Sequence, residues 1–267
     1  MTTTAIPARE IARADRGTAR RHRDAELTAW HDLMTTIDGP DWKRPTVCTE
    51  WDVADVVGHL CGQAEDVNKP WLFPLRDRRA RRVYPQVGLL DAHMLIQADD
   101  HRGTPEAVLR ERFDKLWGRA TKIISRTPAP IHRLQIKVEG MPGFDKISLG
   151  YVQHILLARD LWMHRDDVCR ALGREFDPGP YAGELIAQVM LDLVGGTFWP
   201  GTPVVLTLTG PGGGTYQLGE GDPIAAVSTD AIGYMRTVSG RDDQPTVVLV
   251  DGDPLGAEAV AGCRMPF

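Results

Sequence analysis

At 267 residues the chain is long enough to bury the core of one large domain or two modest ones. Its 42% apolar and 25% charged residues are those of an ordinary globular protein, and no apolar run approaches the ~20 residues that span a bilayer. A net charge of −5 gives no electrostatic reason to expect nucleic acid or an anionic membrane as the partner.

The opening residues, MTTTAIPAREIARADRG, have no apolar centre of the kind a secretion signal carries, and they read as a loose tail over 1–17. Apolar residues at Leu27, Trp30, Leu33, Met34 and Ile37 then recur at helical spacing, which predicts a helix over 25–37 ended by Gly39-Pro40. A second helix starts at WDVADVVGHLCGQAEDV. Asp52 is placed to cap it, Asp55 sits where the helix dipole favours a carboxylate, and Trp51 and Val56 hold the two positions of a hydrophobic staple. Residues 68–86, with their prolines and the run RDRRARR, read as a surface connection. Helical patterns resume over 88–100 and 106–126. A Pro/Gly-bearing stretch over 128–143 leads to a last long helix over 147–173, stopped near Gly173.

The pattern changes after Pro178-Gly179-Pro180. The helix YAGELIAQVMLDLV is followed by PVVLTLTG and GGGTYQLGEG, which predict a hairpin, then by a short helix in DAIGYMRTVSG and a strand in PTVVLVDG. The chain is therefore α+β, with a helical domain over 18–178 and a smaller α+β domain over 179–267. Its four cysteines, Cys48, Cys61, Cys169 and Cys263, form no CxxC pair, so they are expected as free thiols in a reducing, cytoplasmic setting.

Chemistry concentrates in RDLWMHRDDV. Asp160 and His164 lie about 40° apart on the helical wheel, amid Leu156, Leu157 and Val168. An ionised carboxylate on a core-facing stripe is costly unless it is paired or bound to a metal. Side chains four apart on a helix can share one ion. A buried Asp–His hydrogen bond is the plainer alternative, and a metal would need a further ligand. His59, at the edge of the second helix's apolar stripe, is the nearest candidate. His22, His31, His93, His101, His132 and His154 lack suitable spacing. Asp166 and Asp167 could orient neighbouring groups, Arg165 points away from the pair, and Cys48 and Cys61 flank the His59 helix.

CTEWDVADVVGHL and GYVQHILLARDLWMHRDDVCRALGREF resemble the two signature segments of mycothiol-dependent maleylpyruvate isomerase-like proteins, part of the DinB-like superfamily. VVLTLTGPGGG, DAIGYMRTVSGR and the closing CRMPF resemble that family's appended domain, so the resemblance runs from about residue 20 to 267. It implies a DinB-like four-helix bundle followed by a small, sterol-carrier-protein-like α+β domain. It also implies a divalent metal held by His59, Asp160 and His164, which carry catalysis through that metal. Similar members often use Glu where this chain has Asp160, a side chain one methylene shorter, which bears on ligand distance and metal preference. The donor set suits Zn²⁺ and accommodates Ni²⁺, Mn²⁺ or Fe²⁺. The implied cosubstrate is mycothiol, the small thiol of actinobacteria, delivered as thiolate to a small-molecule electrophile. Conjugation by an S-transferase is the favoured outcome, cis–trans isomerisation of the maleylpyruvate type the alternative, and a non-catalytic metal- or small-molecule-binding protein the reading of another class. Arg236 and Arg241 are the basic residues expected to hold the thiol or an acidic substrate, with a solvated helix face as their alternative.

Overall fold

The computed structural model describes residues 4–139, 146–196, 198–241 and 246–265. The end of the Pro/Gly-bearing stretch, Pro245 of the last strand and the final two residues of CRMPF lie outside them. The described residues fall into two compact units, 15–139 with 146–177 and 4–14 with 178–265.

In chain order the elements are β1 (Ile6–Pro7), α1 (Arg16–Thr35), α2 (Val53–Asn68), α3 (Leu72–Val83), α4 (Leu89–Asp99), α5 (Glu106–Arg126) and α6 (Ala129–His132). Next come β2 (Gln135–Lys137), β3 (Lys146–Ser148), α7 (Leu149–Tyr151), a π-helical turn (Val152–Leu156) and α8 (Leu157–Ala171). The remaining elements are α9 (Ala182–Gly195), β4 (Val204–Thr209), β5 (Gly214–Leu218), β6 (Ala225–Asp230), α10 (Ala231–Val238), β7 (Val248–Gly252) and α11 (Pro254–Gly262).

In the helical unit, α1, α2, α5 and α8 surround one core built on Trp30, Trp42, Val56, Val57, Leu60, Phe113, Trp117, Leu161 and Val168, with α3 and α4 packed on the flank of α2. The start of α2 is set as its sequence dictates. The Asp55 amide donates to Asp52 (2.8 Å) and the Asp52 amide donates back to Asp55 (3.3 Å), a reciprocal capping box. On α1, the Trp30 indole donates to the Leu161 carbonyl of α8 at 2.9 Å, fixing the two helices in register. Beyond α8, Gly173 takes φ 65°, and the Arg174 amide returns to the Cys169 carbonyl at 2.8 Å, a left-handed cap that only glycine adopts without strain.

Two expectations are corrected here. Residues 68–86 are not a loop, because α3 occupies most of them. Pro74 falls in the first turn of α3, where a missing amide proton costs nothing. Of the RDRRARR run, Arg76 turns inward to Glu65 (2.5 Å), Asp66 (2.6 Å) and Asp100 (2.9 Å). The N-terminal segment is not a loose tail either. Within the second unit, β1 pairs parallel with β5, Gln188 of α9 donates to the Ala12 carbonyl at 2.9 Å, and Arg13 is ion-paired with Asp192. Residues 1–3 lie outside the described part.

The second unit is built on a five-stranded sheet of order β1-β5-β4-β6-β7, with β4 and β5 the expected antiparallel hairpin and β6 parallel to β4. Alternate residues of β4 (Val204, Leu206, Leu208) and of β6 (Ala225, Val227) are buried, and α11 seats Gly256 against Val204 and Ala225. Among the described residues no helix is long and apolar enough to cross a membrane.

The inward Arg76 cluster gives the helical unit an acid-labile brace. Burial alone would raise the Glu65 carboxyl, but the hydrogen bonds from His101 and Arg76 outweigh it and bring its pKa down to about 2. A depressed carboxyl contributes stability that is complete above its ordinary value of 4.5 and is lost as pH falls toward 2. The stability deficit of Glu65→Gln relative to wild type, measured by urea unfolding, should therefore shrink by about 3 kcal/mol between pH 6 and pH 2.

Candidate metal centre

The site is assembled from one face of α2 and one face of α8. On α2, His59 and Gln63 stand one turn apart; on α8, Asp160 and His164 do the same, with Asp167 three residues further on. The two ladders meet at Asp160. Its Oδ2 lies 3.2 Å from His59 Nε2 and accepts a hydrogen bond from Gln63 Nε2 at 2.6 Å, while its Oδ1 lies 3.6 Å from His164 Nε2. His59 is fully buried, and Asp160 and His164 are only 7% and 4% exposed. The imidazoles are set edge to face with centroids 5.1 Å apart. The Trp51 ring packs 4.9 Å from His59 and 5.8 Å from His164, giving the pair an apolar wall.

Behind His164 a second layer fixes its orientation. His164 Nδ1 lies 2.9 Å from Asp167 Oδ2, and the Cys48 thiol donates to the same oxygen at 3.5 Å. A carboxylate on Nδ1 holds a proton there and turns Nε2 toward Asp160, the orientation that metal-binding histidines characteristically adopt.

The electrostatics of the two histidines diverge. Burial depresses the pKa of His59, and the neighbouring Asp160 only partly offsets it. Burial pulls on His164 as well, but the charge of Asp160 and the contact with Asp167 prevail and push it up to about 10.

One donor atom from each of His59, Asp160 and His164 lies within 4.8 Å of the other two, which is a geometry one ion can occupy. The set is two imidazoles and a carboxylate, buried, oriented from behind and short of the four ligands zinc prefers, so it fits a divalent ion with open positions. A second group, Cys48 with His164 and Asp167, meets the same distance criterion on the other side of the His164 ring. It competes for Nδ1, the nitrogen already engaged by Asp167.

The three residues singled out for a metal are thus brought together by the fold. Arg165, expected to point away, makes a two-pronged ion pair with Glu26 (2.8 and 3.1 Å) and lies over the Phe176 ring. Arg236 and Arg241 belong to the second unit, where the Arg241 amide donates to the Arg236 carbonyl at 2.7 Å at the end of α10. Gln63 escaped the sequence reading, although its spacing from His59 repeats that of Asp160 and His164. Trp51 was legible only as a staple residue, because its contact with His164 joins two distant segments.

A family model described as the mycothiol maleylpyruvate isomerase N-terminal domain matches residues 9–169. Among solved structures, the chain is similar to the mycothiol-dependent maleylpyruvate isomerase at 13% identity and a TM-score of 0.57, covering 90% of this chain and 95% of that one. A histidine-to-alanine mutant of that isomerase is similar at 12% identity and a TM-score of 0.59, with the same coverage. At that identity the likeness is one of fold. No curated protein matches the chain. With the family match spanning more than half its length, over the very helices that carry His59, Asp160 and His164, the chain belongs to the family of the mycothiol maleylpyruvate isomerase N-terminal domain.

Proposed function

We propose that this protein is a metal-dependent enzyme that uses a low-molecular-weight thiol of the mycothiol class against an electrophilic carbon of a small molecule. The observation that carries this reading is the convergence of His59, Asp160 and His164, with a carboxylate set behind His164, inside a family defined by a mycothiol-dependent activity. A divalent ion held by these three residues would supply the positive charge that lowers a thiol from its ordinary pKa near ~8.5 and yields thiolate at neutral pH.

The chain's own residues prepare that chemistry. Asp167 holds the proton on His164 Nδ1 and keeps Nε2 free as a donor. Gln63 donates to Asp160 Oδ2 and so helps orient that carboxylate. Trp51 shields the two imidazoles from water, which strengthens every charge interaction beside it. For Arg236 and Arg241 we propose recognition of a carboxylate of the thiol or substrate, on the chemistry of the guanidinium fork.

Two outcomes share this machinery. If the electrophile carries a leaving group, the sulfur–carbon bond forms, the leaving group departs with its electron pair, and one thiol is consumed per product. If it is a conjugated cis-alkene, the thiolate adds, the former double bond rotates as a single bond, and the thiolate departs again, giving the trans isomer with no net thiol consumption. Sequence reasoning favoured conjugation; the family's own description supports isomerisation at least as well.

Two measurements test the reading. Asp167→Asn should weaken divalent-ion affinity by about 10–100-fold in a chelator competition while leaving the fold intact. Unchanged affinity would remove Asp167 from the site. Ion-loaded protein given mycothiol with either a bromobimane or a cis-enone diacid should turn over roughly 10²-fold or more faster than His164→Ala. Stoichiometric loss of thiol marks a transferase and catalytic use of thiol an isomerase. Rates equal to the variant's with both electrophiles would leave a binding protein instead.

A further inference from the structure

A fourth side chain reaches the point where the three candidate ligands meet. Gln63 stands one turn beyond His59 on α2, opposite Asp160 and His164, which stand one turn apart on α8. Its amide nitrogen lies 2.6 Å from Asp160 Oδ2 and 3.1 Å from His59 Nε2, and those two atoms are 3.2 Å from each other. The three polar atoms form a small triangle, two corners of which belong to side chains of the candidate metal centre. Donors bound about 2.0–2.1 Å from one zinc ion stand about 2.9 Å apart at right angles and about 3.4 Å apart in a tetrahedron. The edges of 3.1 and 3.2 Å fall in that range, and the 2.6 Å edge is the hydrogen bond from Gln63.

An amide nitrogen has no lone pair to give a cation, and its partly positive hydrogens repel one. An ion shared by His59 and Asp160 therefore cannot leave the Gln63 amide as it is oriented. The terminal torsion of glutamine is broad and two-fold, and the amide oxygen and nitrogen are nearly equal in size. Turning the amide over about that torsion keeps the packing of the side chain and brings Oε1 to the corner of the triangle. Oε1 is buried and has no hydrogen-bond partner among the described residues. The turn breaks no bond at that end, and it exchanges one unmatched amide group for the other.

We propose that Gln63 is a fourth protein ligand of the ion, through Oε1. The proposal rests on the reading of His59, Asp160 and His164 as a metal centre and adds a residue to it. The set becomes two imidazoles, one carboxylate and one amide carbonyl. An amide oxygen is neutral, so a divalent ion keeps the same net positive charge for lowering the pKa of a thiol. The thiol takes a fifth position, an expansion that zinc permits. The hydrogen bond to Asp160 Oδ2 has its own use, because it parks the amide at this corner until a cation takes that oxygen.

The test uses the full-length chain, zinc and a chromophoric chelator. Gln63→Leu, which has no amide, should lose about 10-fold or more in zinc affinity. Gln63→Glu, which offers an oxygen at the same reach, should bind zinc at least as tightly as wild type. A merely structural role would also weaken the leucine variant, so the deciding readout is spectroscopic. In protein isotope-labelled at the glutamine side-chain carbonyls, the infrared band of one carbonyl should move to lower frequency when zinc is added. That moving band should be missing from Gln63→Glu. No moving band in zinc-loaded wild type, a moving band retained in Gln63→Glu, or unchanged affinity in Gln63→Leu would overturn the fourth ligand and leave the three-residue centre standing. Should Gln63→Leu fail to fold, the infrared measurement on wild type decides. Zinc bound by neither wild type nor variant would remove the centre itself, and Gln63 with it.

Discussion

The structure depends on how α8 survives burial. Every residue from Leu157 to Cys169 is buried, and among them are Arg159, Asp160, His164, Arg165, Asp166 and Asp167. An apolar helix in that position would need nothing more than packing. A helix carrying this many charges must find a partner for each, because an unpaired buried charge costs several kcal/mol. Arg165 finds Glu26, and His164 is caught between Asp160 and Asp167. Asp160 finds His59 and Gln63 across the seam with α2. Those pairings fix the rotation of α8 about its axis, reinforced by the Trp30 bond to the Leu161 carbonyl.

The same constraint produces the candidate metal centre. Asp160 has one carboxylate to divide among two imidazoles and an amide, and its charge helps push the pKa of His164 up to about 10. Two imidazoles converging on one buried carboxylate, with their donor atoms within 4.8 Å of one another, suit a cation. The Trp51 wall and the Asp167 prop then serve two ends. They close the core at the edge of the bundle, and they aim the donor atoms at one point.

Much of this was legible in the sequence, for identifiable reasons. The helical periods of α1, α2 and α5 appear because each buries one dominant stripe, whereas α8 is buried all round and shows its apolar residues at helical spacing among its charges. Asp160 and His164 stood out because polar residues on such a stripe demand an explanation. Their meeting with His59 depends on the packing of α2 against α8, which no spacing within one segment encodes; the family resemblance suggested it and the geometry of the fold displays it. Other features stayed hidden. The α3 helix was obscured by Pro74 and a dense run of arginines, since the burial of Arg76 against Glu65, Asp66 and Asp100 is a tertiary event. Strand β1 is two residues long, too short for any alternation to register, and β6 is made of small residues that lack a strong strand signature. Gln63 was hidden because an amide raises no alarm in a sequence, though it approaches Asp160 more closely than either histidine.

The central claim is that the donors at this seam form a single ion site through His59, Asp160 and His164. X-ray absorption at the metal edge of zinc-loaded protein, without added thiol, tests it most directly. The account predicts a shell of nitrogen and oxygen at roughly 2.0–2.1 Å with imidazole scattering from two histidines, and no sulfur. A sulfur shell at roughly 2.3 Å would place the ion instead with Cys48 on the far side of His164, and would contradict it.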